Sequence, residues 1–185
     1  MANEEQLDKT AKSLQARTDA KLRYAKIHLD ELAALPIRNG GDFDRAHQES
    51  FLFHLFGARD AFLAELNHYY ACGLSLENLT IGKLRAALKA KDLSSPELTE
   101  LYKLEHTDAS WFQYTKDLRD HSTHVQGVPR TFILHVVGEI DHSVWLKNPR
   151  TQRLIERDFL DQFREWQTEM EALILRLRES VLKSA

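Results

Sequence analysis

Apolar residues recur at three- and four-residue steps through most of the chain, and that period predicts helices. From about Asn3 to Leu35, Leu7, Leu14, Leu22, Ile27, Leu29 and Leu32 fall loosely at helical spacing with charges between them, the pattern of one long helix. The segment Pro36-Ile37-Arg38-Asn39-Gly40-Gly41 predicts its stop, and Asp42 or Asp44 is placed to cap the next helix. That second helix, from about Phe43 to Ala71, carries Leu52, Phe56, Leu63, Leu66 and Tyr70 as a stripe, widened by Phe51, Phe53, Phe62 and Tyr69. A helix this apolar belongs at the centre of a bundle or at a subunit interface. Cys72-Gly73 ends it.

A shorter helix is expected from about Thr80 to Lys91, with Ile81, Leu84 and Leu88 inward. Ser95-Pro96 is a start signal, serine as N-cap and proline at the first helical position. The helical pattern then runs through Leu98, Leu101, Leu104, Trp111, Tyr114 and Leu118 to His124, with a break near Thr107-Asp108, and Gly127-Val128-Pro129 halts it. There the period changes. Thr131 to Val137 is β-branched and aromatic, Gly138 to Asp141 can turn, and His142 to Leu146 can return, which predicts a β-hairpin. The last helix is expected from about Thr151 to Leu182, with Leu154, Phe159, Phe163, Trp166, Met170, Leu173 and Leu177 along one side. The fold class is therefore all-α: a bundle of four to five helices with a small β-hairpin before the last, in one domain spanning residues 1–185.

Composition narrows this reading. Only 7 glycines and 4 prolines leave too few turns for a sandwich or barrel. The single cysteine, Cys72, excludes an intramolecular disulfide and a zinc site built on several thiolates, and fits a cytoplasmic setting. A formal net charge of −3 argues against a generically basic nucleic-acid binder, although a local basic site remains open. The polar start of the chain has no apolar core of a secretory signal, and no apolar run is long enough to span a membrane. Phosphate-binding glycine loops, GxSxG and HExxH are absent.

The richest segment is Leu118-Arg119-Asp120-His121-Ser122-Thr123-His124, at the end of a predicted helix. A helix C-terminus favours imidazolium. Asp120 lies four residues before His124, on the same face, and could orient the ring. Arg119 is about 140° from His124 around the axis, but its reach could bring both into one cleft. An arginine fork that holds phosphate, beside a histidine that moves protons near neutral pH, suits metal-independent RNA cleavage with no cofactor.

Arg119, the polar Asp120 and His124 resemble the signature of the HEPN superfamily, an arginine followed after four to six residues by histidine. The helical layout is similar too, as is the apolar second helix with embedded Arg59, Asp60, Glu65 and Asn67. The resemblance implies a metal-independent endoribonuclease, or a descendant of one, in a toxin–antitoxin or phage-defence setting. In it Arg119 holds the scissile phosphate, His124 is general base or acid, and Asp120 orients it. It also implies a homodimer that brings two such motifs to a shared cleft, RNA as substrate, and an antitoxin or other protein partner. Members that pair with a modifying antitoxin often carry a tyrosine two residues after the histidine; here that residue is Gln126. The alternative is a catalytically silent helical domain that binds a protein or nucleotide.

Arg130 and His135 repeat the spacing, but within a predicted strand with apolar filling. Glu65 and Asn67 either turn to solvent or, if buried, support Arg119 or His124 from the neighbouring helix; with His121 they are the substrate-side candidates. His121 and His124, with His47 and Asp120, form a weaker metal-like set that Arg119 would oppose. Trp111, Tyr114, Tyr69 and Tyr70 fit either core packing or base stacking.

Overall fold

The computed structural model describes residues 2–35, 41–124, 127–137 and 139–183, and for residues 2–4, 78, 132–143 and 183 the backbone alone. The expected stop at residues 36–40, the turn residue Gly138 and the motif neighbour Gln126 lie outside the described residues. In chain order the elements are α1 (Ala2–Ala34), α2 (Asp42–Tyr69), a 3-10 turn (Leu76–Asn78), α3 (Ile81–Ala90), α4 (Pro96–His106), α5 (Trp111–His124), β1 (Arg130–Val137), β2 (Glu139–Lys147), β3 (Leu154–Asp158) and α6 (Phe159–Lys183). The molecule is a helical bundle with a small antiparallel sheet, ordered β1-β2-β3, set before the last helix.

α2 is the centre. It packs against α1, α3, α5 and α6. Phe51, Leu52, Leu55, Phe56, Phe62, Leu63 and Leu66 are fully buried on it, whereas Phe53 and Tyr69 of the expected stripe face outward. The Phe51 ring stacks on Phe163 of α6 with centroids 4.4 Å apart, and Phe56 meets Phe112 of α5 at 5.3 Å. α6 buries Phe159, Phe163, Trp166, Met170, Leu173 and Leu177 along the stripe its sequence predicts. Truncating a ring such as Phe163 in this core is worth about 3–5 kcal/mol.

The local signals act largely as the residue types dictate. Thr80 caps α3 by accepting from the Lys83 amide at 3.2 Å, and Ser95 caps α4 by accepting from Leu98 at 3.1 Å, with Pro96 in the first turn. The expected break is real: α4 ends at His106, Ala109 adopts a left-handed φ of 62°, and Ser110 caps α5 by accepting from Gln113. At α2 the cap is Gly41, and Asp42 and Asp44 stand in the first turn, where negative charge meets the positive end of the helix dipole.

One boundary differs from the sequence reading. Residues from Thr151 to Asp158, expected as the start of the last helix, form a turn and a third strand. The Asn148 side-chain oxygen accepts from the backbone amides of Arg150 and Thr151 at 2.9 and 2.8 Å, and the Asn148 backbone N–H donates to the Arg153 carbonyl. This Asn-Pro turn sends the chain straight back along β2, pairing Lys147 with Leu154 and Leu146 with Ile155. Asp158 then closes the strand and opens the helix, accepting from Val144 at 3.2 Å and from Leu160 at 3.0 Å. Leu154, counted in the α6 stripe, is exposed on the strand.

A buried acid ties three helices together. Glu97 of α4 is fully buried and accepts hydrogen bonds from Tyr70 at the C-terminal cap of α2 (2.9 Å), Ser95 (2.7 Å) and Ser180 of α6 (2.6 Å). Burial opposes its charge, but the three hydroxyl donors outweigh burial and hold its carboxyl below the usual carboxylate range. Glu97 therefore contributes stability that is present above the ordinary value of about 4.3 and is lost as the pH falls through its lower folded value. Replacing it with alanine removes the shared acceptor of three hydroxyls, and Glu97→Ala is expected to lower unfolding free energy by about 2–4 kcal/mol in urea titrations at neutral pH.

Candidate functional site

α2 and α5 meet along a seam that is apolar at Phe56 and Phe112 and charged on either side of them. Arg59 of α2 and Arg119 of α5 both lie over the Phe56 ring, their guanidinium carbons 4.3 and 4.7 Å from its centroid. A ring between two helices thus gives two cations one aromatic group to rest on. Carboxylates alternate with the cations around it. Arg59 pairs with Asp60 at 3.1 Å and reaches Glu105 of α4 at 4.0 Å. Lys116 stands between Glu105 (3.9 Å) and Asp120 (3.3 Å), and Arg119 Nε is 3.1 Å from Asp120. Three cations and three acids form one continuous string across α2, α4 and α5.

Within that string Arg119 is distinctive. Its side chain is about three-quarters buried, and its Nε faces Asp120 as an ion pair without hydrogen-bond alignment. Its two terminal nitrogens make no hydrogen bond among the described residues, and neither is sealed from solvent. The guanidinium is held by Phe56 and Asp120, while the fork that binds oxyanions is open.

The other predicted residues separate. Asp120 is engaged with Lys116 and Arg119; no contact joins it to His124, so it positions the arginine rather than the imidazole. His124 is exposed at the end of α5, and His121 is half-buried beside it; neither has a hydrogen-bond, ion-pair or ring partner among the described residues. Ser122 and Thr123 fold back to donate to the Arg119 carbonyl at 3.0 and 2.8 Å, closing the last turn. Arg119 faces α2 and His124 faces solvent, about 140° apart around the axis. Within one copy of the chain the two do not meet in a cleft. Cavities of about 660 and 970 Å³ lie elsewhere, the first between α3 and α4 and the second among α1, α2 and α6; Arg119 and His124 line neither.

Glu65 and Asn67 are structural. Glu65 accepts from Arg178 of α6 at 2.8 and 2.9 Å and from Thr18 of α1, and Arg178 continues to Asp19 at 2.7 Å and the Gln15 carbonyl at 3.2 Å. These bonds hold the Arg178 guanidinium above its usual value although burial opposes its charge. Asn67 imitates a strand partner for Leu74, donating to its carbonyl at 2.9 Å and accepting from its amide at 3.1 Å, which closes the loop after α2. Glu65 lies nine residues beyond Phe56, about 13 Å along the helix, out of reach of Arg119.

His47 lies with His28 of α1 and not with His121 or His124, so the metal-like set is dispersed. Among the described residues no three His, Cys, Asp or Glu side chains converge on a metal position. Arg130, of the repeated spacing, is committed to the buried Asp44 at 2.9 Å, and the His135 side chain lies outside the described residues. Tyr70 serves Glu97, Tyr69 donates to the Val181 carbonyl, and Trp111 packs on Phe112 at 5.4 Å. Burial pushes the Cys72 thiol up, away from reactive thiolate character.

Sequence reasoning named Arg119, Asp120 and His124 but missed Lys116, Phe56 and Glu105 as their neighbours. The four-residue step from Lys116 to Asp120 was a usable signal. Glu105 comes from another helix and left none.

The fold and the α2/α5 seam define a helical bundle carrying an open arginine fork, with no helix among the described residues long and apolar enough to cross a membrane. By sequence the chain belongs to the DUF6586 family, a family of unknown function, whose model matches residues 13–184. No curated protein and no solved structure matches the chain.

If Glu65 serves the helix junction alone, Glu65→Ala should cost about 2–4 kcal/mol of stability, because it leaves Arg178 with half its hydrogen bonds. Urea titration reads the loss, and nuclease and phosphate-binding assays below the unfolding transition should be unchanged.

Proposed function

We propose that the α2/α5 seam binds the phosphate backbone of RNA and that the protein acts as a metal-independent endoribonuclease. The observation that supports this reading is the Arg119 guanidinium, fixed by Phe56 and Asp120 with its terminal nitrogens unbonded among the described residues. Lys116 and Arg59 stand beside it, each facing carboxylates of the same string. Arg119 holds the scissile phosphate and stabilises the charge that builds on its oxygens. The ribose 2′-hydroxyl attacks phosphorus, a base accepts its proton, and the bond to the 5′-oxygen breaks as an acid protonates the leaving group. His124 serves one of these two proton transfers. Since Arg119 and His124 do not meet within one copy, a second copy supplies the other half of the cleft, and the active form is a homodimer.

A second reading has its own observation. Asp120 and Phe56 already engage Arg119, and His124 stands exposed without a partner on another side of α5. A catalytically silent domain that binds a protein or nucleotide through this edge has the same features.

The deciding experiment incubates purified protein with labelled RNA in EDTA. The nuclease reading expects products ending in a 2′,3′-cyclic phosphate and a 5′-hydroxyl, and inert DNA, which lacks the nucleophile. Arg119→Ala and His124→Ala should each lose about 10²-fold or more, and the double variant little extra. Light scattering should find a dimer. Products with a 5′-phosphate would overturn this mechanism, and binding without cleavage that survives His124→Ala would decide for the second reading.

A further inference from the structure

Six aromatic and imidazole rings meet where α1 lies on α2, on the side of α2 turned roughly opposite to Arg59 and Phe56. His28 Nδ1 is 3.1 Å from His47 Nδ1. The rings of His28 and His54 stack nearly parallel, 6° apart in plane and 5.5 Å between centroids. His54 Nδ1 is 3.4 Å from the Lys21 ammonium. Tyr24 and Phe53 meet the His54 ring edge-on at 5.3 and 5.2 Å, and Phe43 lies 4.3 Å from His47.

This geometry restricts protonation. An Nδ1-to-Nδ1 contact needs one bare nitrogen as acceptor, so His28 and His47 cannot both be imidazolium. The Lys21 ammonium can donate to His54 Nδ1 only while that atom carries no proton. Two stacked imidazolium rings repel each other. The charged groups that act on the cluster are Arg17, Lys21 and Glu31 from α1 and Asp60 from α2, and those that act on His54 besides His28 are the cations Lys21 and Arg17. We propose that His28, His47 and His54 form a proton-operated joint between α1 and α2, closed while the rings are neutral and loosened as they take up protons. The joint is independent of the Arg119 seam and of the function proposed for it.

The electrostatics run the same way. Burial, then Lys21, His28 and Arg17, push His54 down to about 4, and burial and His47 lower His28. Above the ordinary histidine value of about 6.5 the closed and opened joints are both unprotonated, and pH favours neither. As pH falls from there toward about 4, the opened joint binds protons that the closed one refuses, so the closed form loses stability across that window. Below it His54 adds no further loss. At pH 5.5 this single ring shifts the balance toward opening by roughly tenfold. Beneath the seam lie Ala25, Leu29 and Leu32, all buried, which opening would expose to water.

The test is a histidine ring titration by NMR together with amide hydrogen exchange at pH 7.5 and 5.5, corrected for intrinsic rates. His54 should titrate near 4. Amides of α1 and of the first half of α2 should exchange about tenfold faster relative to those of α6 at the lower pH, and the acceleration should vanish in His28→Gln/His47→Gln/His54→Phe. His28 and His54 titrating at their ordinary value without a change in exchange would overturn the joint, and so would acceleration that survives in the triple variant. Should that variant fail to fold, the titration of the unaltered protein decides alone. Zinc binding that perturbs His28 and His47 together at stoichiometric metal would replace the joint with a metal site.

Discussion

Burying α2 at the centre of the bundle obliges every polar side chain on it to find a partner from elsewhere in the chain. An unpaired charge or amide in that position would cost several kcal/mol. Four are answered, whereas Gln48 Oε1 and Arg59 Nε stay buried without a hydrogen bond among the described residues. Asp44 takes Arg130 from the first strand, Glu65 takes Arg178 from α6 and Thr18 from α1, and Asn67 takes both backbone groups of Leu74. Arg59 takes Asp60, Glu105 of α4 and the face of Phe56. The apolar stripe brings the helices together, and the polar residues set which helix lies where. Glu97 repeats the device from α4, with hydroxyls in place of a cation.

Against that background, incomplete satisfaction carries information. Glu65 and Asn67, attractive as polar residues in an apolar helix, use their hydrogen-bonding capacity on the fold and have little left for a ligand. Arg119 differs because Phe56 holds its plane and Asp120 faces only one of its nitrogens, leaving the fork open. The histidine seam on the other side of α2 is the converse case, where the contacts hold only while the rings are not all protonated. One helix thus carries a rigid charged face and a proton-sensitive one, and the difference lies in the groups that its neighbours present.

The order of elements was legible because local chemistry dictates it. Thr80, Ser95 and Pro96 announce helix starts by supplying or forgoing hydrogen bonds within one turn, and β-branched residues mark the change to strand. The third strand was not legible. Leu154, Phe159 and Phe163 can be fitted to a helical stripe, and nothing local forbids it. Asn148 and Asp158 set the outcome by bonding backbone amides of the turn, the neighbouring strand and α6, and those bonds exist only once β2 is in place.

By itself the sequence determined that α2 would lie either at the bundle centre or at an interface, that the α5 end would carry Arg119, Asp120, His121 and His124, and that a small antiparallel unit would precede the last helix. Periodicity and capping are short-range, so they survive without knowledge of the fold. Only the tertiary structure decided what each of those side chains does. Asp120 turned to Lys116 and Arg119 instead of His124, Glu65 went to Arg178, and His47 went to His28. The physical reason is that an ionisable group's role depends on which charges and rings stand within a few ångströms of it. In a helical bundle most of those neighbours come from helices distant in sequence.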